Sequence, residues 1–300
     1  MVSQRVLVSC ADFSTTEGLI TCLDFDGKKF KLLNEIIIPH PNQKIAVQGK
    51  GITGMCYGID GTVWAAFSNL IAHIRLDDGT IIETIDDDKF NDLHDLHIKD
   101  GNLVAVNSGN ESIDFIDIQS GKIKRFDLLG ESLRAKTREV TTDSDTKPHL
   151  HHVPTITYND RNEMVLAFFE QQTIINIDNW RQIGPKMPSP IHDLQFWNNK
   201  FHWTTICGKK YTFDGEISVI DLAEHGMKIG WTRGLRLFDS GFIIGTTAIR
   251  ESNVNFFSDL TKIENMNVEA RISWIPSSIE QKAIHYEFEN SETRKVYSII

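Results

Sequence analysis

The sequence predicts an all-β fold, a six-bladed β-propeller with seven blades as the alternative. Three observations carry this. One segment type recurs five times at nearly constant spacing. Each copy divides into short alternating runs separated by turn residues. Apolar strands are left over at both ends of the chain.

The recurrence is clearest in two places. Residues 93–110 read LHDLHIKDGNLVAVNSGN, and residues 191–206 read IHDLQFWNNKFHWTTI. His94-Asp95-Leu96 aligns with His192-Asp193-Leu194, and in each case a turn and a second apolar run follow. Three further segments fit the template: TGMCYGIDGTVWAAF from Thr53, HVPTITYNDRNEMVLAFF from His152 and RGLRLFDSGFIIGTT from Arg233. The anchors 53, 94, 152, 192 and 233 are separated by 41, 58, 40 and 41 residues. A period of roughly 40–45 residues with four short strands per unit is the mark of a propeller.

Each element follows from local chemistry. Within a unit the strands fall at HDLHI, LVAVNS, SIDFIDI and KIKRFDL, with DG, SG and GK turns between them that suit antiparallel hairpins. No amphipathic stretch of helical length recurs between strands, which argues against βαβ units. The long step of 58 residues contains a polar segment without alternation, expected to be an inserted loop at about 128–148 with room for a short helix near 131–138. The N-terminal strands RVLVSCA, GLITCLDF and KKFKLLNEI lack an anchor strand, and AIHYEFE or RKVYSII from the C-terminus is expected to supply it and close the ring. The 300 residues are thus expected to form one domain, 1–300, with 40% hydrophobic residues to fill its core.

Composition narrows the partners. The formal charge is −10 and no Lys/Arg block is present, so no nucleic acid is expected. No window has the apolar length of a membrane span, and the N-terminus lacks a signal-peptide layout. Cys10, Cys22, Cys56 and Cys207 form no CxxC pair, so a reducing cytoplasm with unpaired thiols is expected.

In a propeller the first strand of each blade lies innermost, so equivalent anchor residues converge on the axis. Here they are Thr53, His94, His152, His192 and Arg233. Three imidazoles suit a divalent transition metal, with His94, His152 and His192 as ligands. Asp95 and Asp193 are candidates to orient the imidazoles, or to cap blade turns. Arg233 is placed in a catalytic role, as a clamp on a substrate carboxylate. The run PHLHH at 148–152 leaves the inward-facing residue open, because one residue of slip reverses a side chain's direction. His149 or His151 could replace His152, and His151 is a second catalytic candidate. His97, three positions from His94, is expected between blades. The other histidines are read as packing or surface residues.

These residues resemble a group of bacterial propeller proteins of unknown function. The similarity covers roughly residues 90–255 and rests on the order of its motifs: His94-Asp95-Leu96, Met187-Pro188 leading to His192, Arg233-Gly234-Leu235 and Arg250-Glu251. It departs at 148–152, where the group has a single His-Leu-Asn. The resemblance implies a propeller and supports this choice of residues, and it implies no particular reaction; members of the group accompany polysaccharide- or peptide-modifying genes. The expected function is a metal-assisted enzyme of lyase, hydrolase or oxygenase type, with a His-lined axial site for a small anionic, saccharide or peptide substrate. The alternative is a non-catalytic ligand-binding or protein-interaction scaffold.

Overall fold

Six four-stranded antiparallel sheets form a ring in a computed structural model that describes residues 3–129, 150–263, 266–278 and 280–300. The strands are numbered β1–β24 in chain order. Blade 1 joins β24 (Arg294–Ile299) to β1 (Gln4–Asp12), β2 (Gly18–Phe25) and β3 (Phe30–Ile38). Blade 2 is β4–β7 over 52–85, blade 3 is β8–β11 over 93–127, and blade 4 is β12–β15 over 156–183. Blade 5 is β16–β19 over 191–221, and blade 6 is β20–β23 over 231–287.

The ring closes through the C-terminus, as the spare strands suggested. Of the two candidates, RKVYSII supplies the innermost strand of blade 1, while AIHYEFE gives the outermost strand of blade 6. Ile300 and Leu7 exchange backbone hydrogen bonds of 2.8 and 2.9 Å, and Arg294 pairs with Glu35 at 2.8 Å. Closure removes two sheet edges that would otherwise invite aggregation. The six-bladed count takes precedence over seven, because the tail after Arg271 completes existing blades.

The second strand of each blade is covered on both faces by neighbouring blades, so it reads as a continuous apolar run. TVWAAF in blade 2 is buried at every position. Its Trp64 and Ala66 pack against Leu93, Leu96 and Leu103 of blade 3, and comparable clusters fill the other interfaces. Fully burying such side chains contributes about 1.5–3 kcal/mol each.

One element was not foreseen. Helix α1 (Val254–Thr261) lies between β21 (Gly241–Thr247) and β22 (Arg271–Pro276). Most of the insertion expected at 128–148, together with His149, lies outside the described residues. Among the described residues no helix is long and apolar enough to cross a membrane.

Candidate functional site

The innermost strands share a defect that builds the axis. In β8 (Leu93–Lys99), Leu93 pairs with Asn107 and Asp95 with Val106, leaving His94 as an extra residue. In β16 (Ile191–Trp197), Ile191 pairs with Thr205 and Asp193 with Thr204, leaving His192. The same skip leaves Thr53 in β4 (Ile52–Tyr57), Gly234 in β20 (Trp231–Phe238) and Tyr297 in β24. A β-bulge re-aims one side chain without ending the ladder, and here it marks the axial position of five blades.

The repeated Asp serves the frame. Asp95 accepts hydrogen bonds from Thr155 Oγ1 at 2.8 Å and the Ile156 amide at 3.3 Å, both in blade 4. Asp193 accepts from the Gly234 amide of blade 6 at 2.9 Å and from Thr204 Oγ1 at 2.7 Å. Each Asp staples its blade to the next. In blade 2 its place is taken by Gly54, where a Cβ would come within 2.5 Å of the His94 carbonyl.

Arg233 was aligned with His94 and His192, yet the bulge falls one residue later, on Gly234. Gly234 adopts φ +77°, which suits glycine. Arg233 reaches the axis by its length. Its Nε donates to His192 Nε2 at 2.8 Å, and its guanidinium lies 4.5 Å from the Tyr297 ring centre.

Blade 4 has no bulged histidine and uses a loop instead. The Glu111 carboxylate, buried in blade 3, accepts the amides of Leu150, His151 and His152 at 2.8, 2.9 and 3.3 Å. Held this way, His152 takes φ +44° and lies edge-on to His94, with ring centres 4.7 Å apart. His151 turns to Phe168, 5.2 Å away, and its Nδ1 is buried without a hydrogen-bond partner among the described residues.

Asp92, which was not singled out in the sequence, completes the cluster. It also adopts a positive φ, +49°, a conformation uncommon outside glycine and frequent at functional sites. Its Oδ2 lies 3.2 Å from His94 Nε2 and its Oδ1 lies 3.0 Å from Lys50 Nζ. Burial opposes ionisation of Asp92, but Lys50, then His94 and His152, hold its carboxyl well below the ordinary range. Donor atoms of Asp92, His94 and His152 all lie within 4.8 Å of one another, so the group could hold a metal ion. The signal for Asp92 was its spacing two residues before His94, which puts it just ahead of the strand that carries His94.

The remaining candidates sit around this group. The His192 ring centre is 6.0 Å from that of His94. Arg233 can only donate, so His192 Nε2 is the acceptor, and Nδ1 faces Asp193 Oδ1 at 3.5 Å. Burial and then Arg233 push this imidazole down to about 4, against Asp193. Asp95, a candidate for orienting His94, instead bonds His97 at 3.1 Å, while Asp92 faces His94.

Asp92, His94 and His152 open onto a cavity of about 590 Å³ that Lys50, Arg233, Arg250 and Lys295 also line. Phe169, Trp231, Phe256 and Phe257 form its apolar side, the last two from α1. Glu170 stands at the wall, its carboxyl raised by burial and then by Glu111.

No family model matches the chain, and no curated protein matches it. Solved structures do. A protein of unknown function from Bacteroides caccae has a TM-score of 0.64 at 13% identity, over 99% of this chain and 97% of that one. Virginiamycin B lyase from Staphylococcus aureus has a TM-score of 0.54 at 12% identity, over 97% and 89%. A chain of the nidogen/laminin complex has a TM-score of 0.62 at 10% identity, over 98% and 97%. At these identities the likeness shows the fold.

Proposed function

We propose that the protein is a metal-assisted enzyme of lyase, hydrolase or oxygenase type, acting on a small anionic, saccharide or peptide substrate. A divalent transition metal would be held by Asp92, His94 and His152. The observation that carries this is the convergence of those three donor groups at the wall of a cavity that also presents four cationic side chains.

Two imidazoles and a carboxylate suit a divalent transition ion. The 3.2 Å between Asp92 Oδ2 and His94 Nε2 fits either a hydrogen bond or two ligands on one tetrahedral ion, roughly 3–3.5 Å apart. Three protein ligands would leave such an ion a further position for water or substrate, as catalytic rather than structural sites do. The ion would supply Lewis acidity or an activated water. His192, expected as a ligand, has both nitrogens facing other groups, which favours Asp92 for the third place. In this reading His192 fixes Arg233, one of the cations that a substrate carboxylate would meet in the cavity. Glu170, with its raised carboxyl, is placed to exchange a proton. His151, turned to Phe168, would support the loop rather than the reaction. Virginiamycin B lyase supports the reading by analogy of fold, as a lyase built on a ring of this kind. Cys10 and Cys22 are unpaired and buried, which supports a reducing, cytoplasmic setting.

The second reading, a non-catalytic binding or interaction scaffold, draws on Lys50, whose ammonium pairs with the Asp92 carboxylate at 3.0 Å. Elemental analysis of protein purified without a histidine tag separates the two. The enzyme reading expects close to one equivalent of transition metal. Wild-type protein without bound metal that also takes up none on incubation with zinc, manganese or iron(II) would overturn it.

A further inference from the structure

The cationic side of the cavity has its own geometry. Arg250 and Lys295 flank one ring, with their charged groups 4.9 and 5.3 Å from the Phe13 centre. Each hydrogen-bonds a backbone carbonyl, Arg250 to Phe13 at 3.1 Å and Lys295 to Gly49 at 2.8 Å. Among the described residues neither forms an ion pair with a carboxylate. Burial, and then Lys50, Arg233 and Arg250, push the Lys295 ammonium down against the opposing influence of Tyr297. Cations gathered in a partly buried site repel one another until an anion joins them. This gathering occurs in a chain of formal charge −10, and the cavity carries four cationic side chains against the two carboxylates of Asp92 and Glu170.

The opposite side is aromatic. Trp231 meets Phe257 edge-on at 4.4 Å and lies nearly parallel to Phe169 at 6.2 Å. Phe256, 64% exposed on α1, extends this wall to the cavity mouth. Aromatic walls of this kind take flat or ring-shaped ligand faces.

We propose that the cavity's ligand combines an anionic group, carboxylate or phosphate, seated between Arg250 and Lys295, with a ring laid against the Trp231–Phe257–Phe256 wall. This names the substrate class for the site proposed above and rests on that reading for its place in catalysis, but the binding itself requires no metal.

The test is calorimetric titration of chelator-treated, metal-free protein with four probes: phenylacetate, phenylphosphate, inorganic phosphate and benzyl alcohol. At least one ring-bearing anion is expected to bind at least tenfold more tightly than both inorganic phosphate and benzyl alcohol, and the tighter of the two names the anionic group. The double variant Arg250→Met, Lys295→Met, checked for folding by its melting temperature, is expected to lose at least tenfold. Phe256→Ala, at an exposed position, is expected to lose severalfold for the ring-bearing probes and nothing for inorganic phosphate. Benzyl alcohol or inorganic phosphate binding as tightly as the better of the two ring-bearing anions, unchanged anion binding in the folded double variant, or no binding by any probe would overturn the proposal. Metal content and turnover are not read, so failure here and failure of the enzyme reading are separate results.

Discussion

In blade 3 the bulged histidine, His94, meets Asp92 and His152; in blade 5 the bulged histidine, His192, meets Arg233. The local sequence is the same, His-Asp-Leu, and so is the backbone defect. The aspartates do the same work in both places, tying one blade to the next. What differs is the company the bulge brings. His94 has an acidic residue two positions before it and a histidine loop beside it. His192 has a guanidinium from the next blade. A propeller repeats its frame and varies its axis, so a repeated motif specifies where a side chain points and leaves open what it meets.

The comparison breaks most visibly in metal affinity. Asp92→Ala and His94→Ala are expected to weaken metal binding by more than about a hundredfold, beyond what losing a supporting partner costs. His192→Ala should retain it. Equilibrium titration with a zinc indicator reads the difference, and equal losses at His94 and His192 would erase the distinction.

The aspartates, by contrast, should behave alike. Asp95→Ala and Asp193→Ala each remove two or more hydrogen bonds to a carboxylate, and each is expected to cost roughly 2–3 kcal/mol of unfolding free energy. Chemical denaturation checks this. A large loss at one site and none at the other would show that the staples are not equivalent.

Acid should find His192. The unfolded chain takes up a proton near the ordinary value of 6.5, while the native imidazole does so only near 4. The unfolded state therefore binds more protons between those values. The contribution of His192 is complete above pH 6.5 and is lost as the pH falls toward 4, by about 2 kcal/mol on reaching pH 5. Denaturation at pH 8 and pH 5 should show a smaller difference in His192→Gln than in wild type. An identical pH dependence in both would contradict the neutral assignment.

The smallest expected effect sharpens the role of the loop. Glu111→Gln keeps an acceptor for the 150–152 amides but loses its charge, and metal affinity should fall about tenfold, within the range for a residue that orients a ligand. Isothermal titration with zinc would show this, and unchanged affinity would free His152 from its dependence on Glu111.

The blade ring was legible in the sequence because its frame is periodic. The steps of 41, 40 and 41 residues, the hairpin turns and the unpaired terminal strands are all local signals. The axial positions of His94 and His192 were legible for the same reason. Arg233 was placed at the axis through an alignment one residue off, because a bulge leaves no mark in the apolar pattern. The three-histidine cluster was only partly legible. His152 reaches His94 through a loop held by Glu111, 41 positions earlier, and strand periodicity says nothing about such a loop. Asp92 was missed because it stands just before its strand, in a backbone conformation that sequence patterns do not reveal. The grouping of Lys50, Arg250 and Lys295 was missed for a different reason: ring closure brings them together from distant parts of the chain.

The central claim is that Asp92, His94 and His152 hold one metal ion while His192 stands outside its coordination. Anomalous diffraction at the absorption edge of the bound metal, from crystals of untagged protein soaked in zinc or manganese, tests this most directly. The account expects one strong peak within about 2.0–2.2 Å of donor atoms of all three residues, with no His192 nitrogen at bonding distance. A peak ligated by His192 in place of Asp92, or no peak at the axis at full soaking concentration, would contradict it.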